Sequence, residues 1–367
     1  MDTTERSTTF ITRWPLVACL ALVVAVPGWA AAQSPYSGIV VFGTSLSDPG
    51  NAFALVGAAN TPHDFDLNPL LIPSAPYAQG GHHFSNGATW IEQYARSVGL
   101  GGSVRPALSA ANGGATNFAV GAARAYNDGV NFNLTRQVDT FLQRSGGVAP
   151  AQALYVIEMG SNDIRDAFAL YAGGGNGGPI LAAALGSIAA NIQRLYLAGA
   201  RNFLVWAAPN VGLTPAIRTL GPAAGALATA LTQSFNGNLT GLLGQLSAGL
   251  PGISVTRLAV DQILTAILAD PAGFNLTTVT TACVTPNAAP FRCRHADEFL
   301  FWDGIHPTKA GHAILADQTS RVLSDPERLA RFQREAKTLA SLNHPHITQM
   351  YRFEYLPQWR QTRILDD

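Results

Sequence analysis

Charge is scarce in this 367-residue chain: Asp, Glu, Lys and Arg make up 13%, and 23 basic residues balance 23 acidic ones. A neutral protein has no electrostatic footprint for nucleic acid, so no nucleic-acid partner is expected. With 47% hydrophobic residues, the composition is that of a core-forming globular protein and excludes a disordered one. Cysteine is scarcer still, at three residues. That excludes a disulfide-dense scaffold, and no Cys/His set stands at zinc spacing. His82-His83 has no carboxylate cluster beside it, so no metal is expected there. Gly-Lys-Ser/Thr does not occur, which excludes a Walker phosphate loop. The run from Gly173 to Gly178 formally contains G-x-G-x-x-G. It follows a predicted helix rather than a strand and reads as a surface loop.

Long apolar runs are confined to the N-terminus. Arg6 and Arg13 precede an apolar stretch from Leu16 to Val26, and Ala30-Ala31-Ala32 supplies small residues for cleavage before Gln33. This is the pattern of a secretory signal over residues 1–32, too short for a comfortable transmembrane helix. No stable membrane span is expected after its removal, and the mature protein is expected to be periplasmic or secreted. Cys19 would leave with the signal. Cys283 and Cys293 would remain as an even pair in an oxidising compartment, flanking TACVTPNAAPFRC. A disulfide is expected there, with two buried thiols as the alternative.

What the chain does have is glycine (36) and proline (22), the residues of tight loops. Between the loops, short apolar runs alternate with amphipathic stretches. Residues 38–42, 153–159, 202–207 and 253–258 read as buried strands, and 115–120 as a further short one. Helical spacing runs through 89–98, 181–197, 223–246 and 308–322. Such alternation predicts an α/β fold with a parallel sheet covered on both faces. Active sites in such sheets lie at the carboxyl ends of strands. Ser45 and Asn162 both fall just after one.

Four stretches carry candidate chemistry. Ser45 lies in VVFGTSLSDPGN, at a turn after the first strand. A serine hydroxyl becomes a nucleophile only when a base takes its proton, and the base needs an orienting acid. His306 in FWDGIHPT has Asp303 three residues before it, close enough for the carboxylate to hold one ring nitrogen. Asn162 in MGSND offers a neutral amide donor for a developing oxyanion. Gly121 in GATNFAVGAARA permits close approach to a backbone N–H. Singly, these are also ordinary turns, caps and turn glycines.

Together and in this order, FGTSLSDPGN, GATNFAVGA, MGSND and DGIHPT resemble the blocks of the GDSL esterases and lipases, the SGNH hydrolases. The segment HFSNGATWIEQYA also looks like that family's stretch between its first two blocks. The likeness spans about residues 37–323. It implies a three-layer α/β/α, flavodoxin-like SGNH fold over residues 33–324, with a central parallel sheet of about five strands. It further implies Ser45 as nucleophile, His306 as base and then acid, and Asp303 as its orienter. Ser45 N–H, Gly121 N–H and the Asn162 amide would form the oxyanion hole. No cofactor is implied. The α/β-hydrolases share the order Ser…Asp…His but carry G-x-S-x-G, which is absent here. Two departures stand out. Thr44 replaces the family's namesake Asp, which puts the rigidity of the turn in question. Ala122 follows Gly121 where many members have two glycines, which leaves the identity of the backbone donor open.

The resemblance implies an exported serine hydrolase of small-molecule or lipid esters. Acyl transfer by the same triad and a non-catalytic binding module are the alternatives; substrate chain length and oligomeric state are not readable. From Asp325 onward, 13 of 43 residues are charged. In this tail RLARFQREAKTLASLNHPHI resembles a small piece of bacterial Ser/Thr kinases, with Glu335 at the glutamate position. Every other kinase element is missing, so residues 325–367 are expected to be a gene-fusion scar or a mis-joined reading frame without a function of their own, with an amphipathic helix packing on the core as the alternative.

Overall fold

The computed structural model describes residues 1, 34–56, 82–109, 114–284 and 293–324. The expected signal peptide and the kinase-like tail therefore lie outside the described residues. Four strands, β1 (Ile39–Gly43), β2 (Leu154–Glu158), β3 (Asn202–Ala207) and β4 (Ser254–Ala259), form a parallel sheet in that spatial order. Register is continuous: Val41 faces Val156, which faces Leu204, which faces Thr256.

The sheet is buried on both faces, as runs with little polar alternation require. Successive residues feed opposite cores. Val40, Phe42, Tyr155, Ile157, Phe203 and Val205 enter one cluster, while Ile39, Val41, Leu154, Val156, Leu204 and Trp206 enter the other. The first is closed by α3 (Leu134–Arg144), α4 (Ser161–Ala172), α5 (Gly178–Leu197) and α7 (Pro222–Gly249). The second is closed by α2 (Trp90–Ser97) and α9 (Lys309–Ser324). Smaller helices α1 (Asn51–Val56), α6 (Pro215–Arg218) and α8 (Val260–Ala269) complete the set among the described residues. This is the α/β/α arrangement expected.

The fifth strand expected at 115–120 is present only as an irregular edge. Its backbone bonds to β1 in parallel fashion: Thr116 O accepts from Val41 N (2.9 Å), Val41 O from Phe118 N (2.8 Å) and Gly43 O from Val120 N (3.1 Å). The ladder is interrupted at Gly43, whose N–H donates to Gln137 Oε1 at 2.9 Å instead of to the edge, while the outward Ala119 N–H is taken by the Asn117 side chain at 3.0 Å. Counted by place, this edge lies outside β1, so the chain's second strand position precedes its first. That is a flavodoxin-like order, and the crevice where it reverses lies at the ends of β1 and β2.

A second pair, β5 (Thr278–Ala282) and β6 (Phe299–Phe301), went unread in the sequence. Cys283, immediately after β5, is joined to Cys293 as expected. One described helix, α5, is long and apolar enough to cross a membrane (mean hydropathy 1.3), although no such stretch was expected past the leader. Its Leu181, Leu185, Ile188, Ile192 and Leu195 belong to the core.

Candidate active site

Ser45 is half-buried at the carboxyl end of β1. Its Oγ lies 2.9 Å from His306 Nε2, and His306 Nδ1 lies 2.7 Å from Asp303 Oδ2. The three residues are thus linked in one hydrogen-bonded line across 261 positions of sequence. Asp303 is 2% exposed. Its other oxygen, Oδ1, accepts from the backbone N–H groups of Ile305 (2.8 Å) and His306 (2.7 Å), which fixes the carboxylate and the turn at once. Trp302 N donates to His306 O at 2.8 Å, closing that turn. Ser85 Oγ donates to Pro307 O, and Asn86 Oδ1 accepts from Lys309 N, so the HFSNG stretch braces the histidine loop from outside.

The sequence model of the GDSL-like lipase/acylhydrolase family matches residues 39–319. The chain belongs to that family. It is 29% identical to Esterase EstA of Pseudomonas aeruginosa, over 94% of this chain and 54% of that protein. It therefore spans about half the length of that relative. It is 27% identical to GDSL esterase/lipase At1g71691 of Arabidopsis thaliana, over 83% of this chain and 86% of the relative. Identity is also 27% to a phosphatidylcholine-sterol acyltransferase of Aeromonas hydrophila, over 82% of this chain and 94% of that one.

The serine turn of this GDSL chain is held from below by groups that the sequence did not announce. Thr44, in place of the family Asp, donates its N–H (2.8 Å) and its hydroxyl (3.0 Å) to the carboxyl of Glu158, at the end of β2. Glu158 is 1% exposed, and burial pushes its carboxyl up to about 8. Gln137 bonds both the N–H and the C=O of Gly43 at 2.9 Å. Ser47 Oγ accepts from the Trp90 indole at 2.9 Å. These contacts bear on the open question of turn rigidity: Thr44 ties the turn to a carboxyl on the neighbouring strand.

Asp48 and Asp163 clamp the loop after the edge strand. Asp48 accepts from the N–H groups of Gly50, Asn51 and Ala52, capping α1, and from Gly121 N at 2.8 Å. Asp163 accepts from Ala125 N and Tyr126 N at 3.0 Å. Both are fully buried, and desolvation pushes each up to about 6 against those bonds. Arg124 pairs with Asp166 through two bonds, at 2.9 and 3.0 Å.

Gly121 is thus placed beside the site, but its N–H is committed to Asp48. The close approach its glycine permits is by Phe84: an added Cβ would lie 2.2 Å from the ring. The next residue, Ala122, has a left-handed backbone (φ 63°), and its N–H makes no hydrogen bond among the described residues. Left-handed geometry suits glycine better than the alanine present here. The Ser45 N–H is likewise uncommitted among the described residues. Asn162 stands in the first turn of α4, after the left-handed Gly160 (φ 117°). Its Nδ2 donates to Ala123 O at 2.8 Å, which leaves the second amide proton over.

One cavity contains the serine, and a second adjoins that cavity. One is lined by Ser45, Ser161, Asn162, Arg165, Val211 and His306. The other is apolar, lined by Trp206, Val260, Leu264, Ile267, Leu300 and Leu315. Leu46, Pro209, Thr214 and Ile305 form walls of both. No group of three or more His, Cys, Asp or Glu residues suited to a metal occurs among the described residues.

Proposed function

We propose that this protein is an exported serine hydrolase of carboxylic acyl esters. The single observation that carries the reading is the hydrogen-bonded line Asp303–His306–Ser45. His306 Nε2 takes the proton of Ser45 Oγ as the oxygen attacks the ester carbonyl. Asp303 holds Nδ1–H and stabilises the imidazolium that forms. The resulting oxyanion is bound by Ser45 N–H, by the Asn162 amide and by a backbone N–H of the loop after the edge strand. Because Gly121 N–H serves Asp48, Ala122 N–H fills that place. His306 then returns the proton to the leaving alcohol, giving an acyl-enzyme. Water, deprotonated by His306, releases the acid and regenerates Ser45.

The apolar lining of the cavity behind Leu46 and Ile305 suits an alkyl part of the acyl group better than a polar one. Similarity to an acyltransferase supports a second reading, transfer of the same acyl group to an alcohol. Export is supported by the leader pattern and by the Cys283–Cys293 bridge, which persists in oxidising compartments.

Hydrolysis of p-nitrophenyl esters of increasing chain length, by the wild type and by Ser45→Ala, tests this. Turnover should fall by on the order of 10³-fold or more in Ser45→Ala. Activity indifferent to Ser45 would overturn the reading. Adding a primary alcohol separates the two routes: ester product in place of acid supports transfer.

A further inference from the structure

Arg165 is on α4, one turn beyond Asn162, and it lines the cavity that contains Ser45 and His306. No carboxylate lines that cavity among its described walls. Arg165 makes one hydrogen bond, from Nη1 to Asn162 Oδ1 at 3.3 Å, and no ion pair among the described residues. The two nearest acids are already engaged. Asp166 is held by both Arg124 nitrogens and by the Tyr126 hydroxyl at 2.9 Å. Asp303 is held by His306 and two backbone N–H groups. Burial, and then Arg124, push the Arg165 guanidinium down from its ordinary value.

Buried charges are ordinarily paired, because an unpaired one forfeits its hydration. Asp166 and Asp303 attract this guanidinium without bonding it; a planar fork of donors with no carboxylate in ion-pair contact, set in the wall of a substrate cavity, awaits an oxyanion from the ligand. The N-terminus of α4 adds positive partial charge at the same place. We propose that Arg165 is a specificity residue that docks an anionic group, a carboxylate or a phosphate, carried by the ester beside its scissile bond. This rests on the serine-hydrolase reading, and names the class of ester that the site prefers.

The test uses two pairs of esters matched in length. One is p-nitrophenyl butyrate against mono-p-nitrophenyl glutarate, which carries a free carboxylate. The other is 1-acylglycerol against 1-acylglycerol 3-phosphate. In the wild type, kcat/KM should favour the anionic member of at least one pair, chiefly through KM, and the pair that responds identifies the group. In Arg165→Met the anionic-to-neutral ratio should fall by about tenfold or more, the worth of one charge-assisted bond. Arg165→Lys should recover part of it. Equal losses on both members would overturn the proposal and leave Arg165 as a support for Asn162; so would a wild type without preference in either pair. Calorimetric binding of the same four esters to Ser45→Ala gives the comparison without turnover. Absent hydrolysis would then sink the proposed function, whereas equal binding of anionic and neutral members would sink the role of Arg165.

Discussion

Thr44 is where residue-scale chemistry departs most from the family pattern. Its hydroxyl and N–H both reach Glu158, so a carboxyl still sits under the nucleophile turn, supplied from β2. Thr44→Asp would set a second carboxylate against the first in a buried place. It should cost on the order of 2–4 kcal/mol in chemical denaturation, and Glu158→Gln in the same chain should recover most of that. Glu158 also sets a pH slope. Its raised pKa means that the folded state holds a proton that the unfolded chain releases above about 4.5. Stability from this group is full below that value and is lost as pH rises through about 8. His312, which burial pushes down to about 3, acts in the opposite sense and only below its ordinary 6.5. Melting temperature should therefore fall between pH 7 and 8 in the wild type and stay flatter in Glu158→Gln. Equal slopes would remove Glu158 as the cause. None of this was legible in the sequence, because Thr44 and Glu158 stand 114 residues apart and nothing in the run 153–159 marks its one glutamate as a partner of the serine turn.

At the scale of elements, the motif blocks proved to be strand ends and the loops clamped between them. Sequence periodicity located all four strands of the sheet: β1, β2 and β3 are short, apolar and buried on both faces, whereas β4, SVTRLA, is part-exposed and gives the weaker signal. It missed α3, whose sequence LTRQVDTFLQR mixes charge into a narrow apolar face of Leu134, Val138 and Phe141. The pair β5 and β6 escaped because TVTTA is mostly polar and only three residues of FLF meet it. That pair nonetheless positions the loop of Asp303 and His306: Cys283 N donates to Phe301 O and Val284 N to Trp302 O, one residue before Asp303. The Cys283–Cys293 bridge fixes the end of β5, with a sequence separation of 10. Replacing both cysteines by serine should cost about 2–3 kcal/mol through the freed loop entropy. Because Asp303 follows at once, kcat should fall with it. Unchanged denaturation midpoints and kcat would show the loop to be held by its backbone bonds alone.

Across the whole molecule, the chain brings four distant blocks to one end of a parallel sheet, at the reversal of strand order. The Ser45, Asp303 and His306 line was legible because the chemistry such a line fits needs particular residue types in a particular order. The donors of the oxyanion were less so, since a backbone N–H leaves no mark in sequence: Gly121 was expected, and its bond to Asp48 turns attention to Ala122. The central claim concerns Ser45 as an activated nucleophile, and a fluorophosphonate reads it directly. Attack of Ser45 Oγ on phosphorus expels fluoride and leaves a stable ester on the protein. Mass spectrometry of the digested protein should show one equivalent on the peptide containing Ser45, with labelling lost in His306→Ala. Label on another serine in place of Ser45, or ester turnover that persists in protein fully labelled at Ser45, would contradict the account.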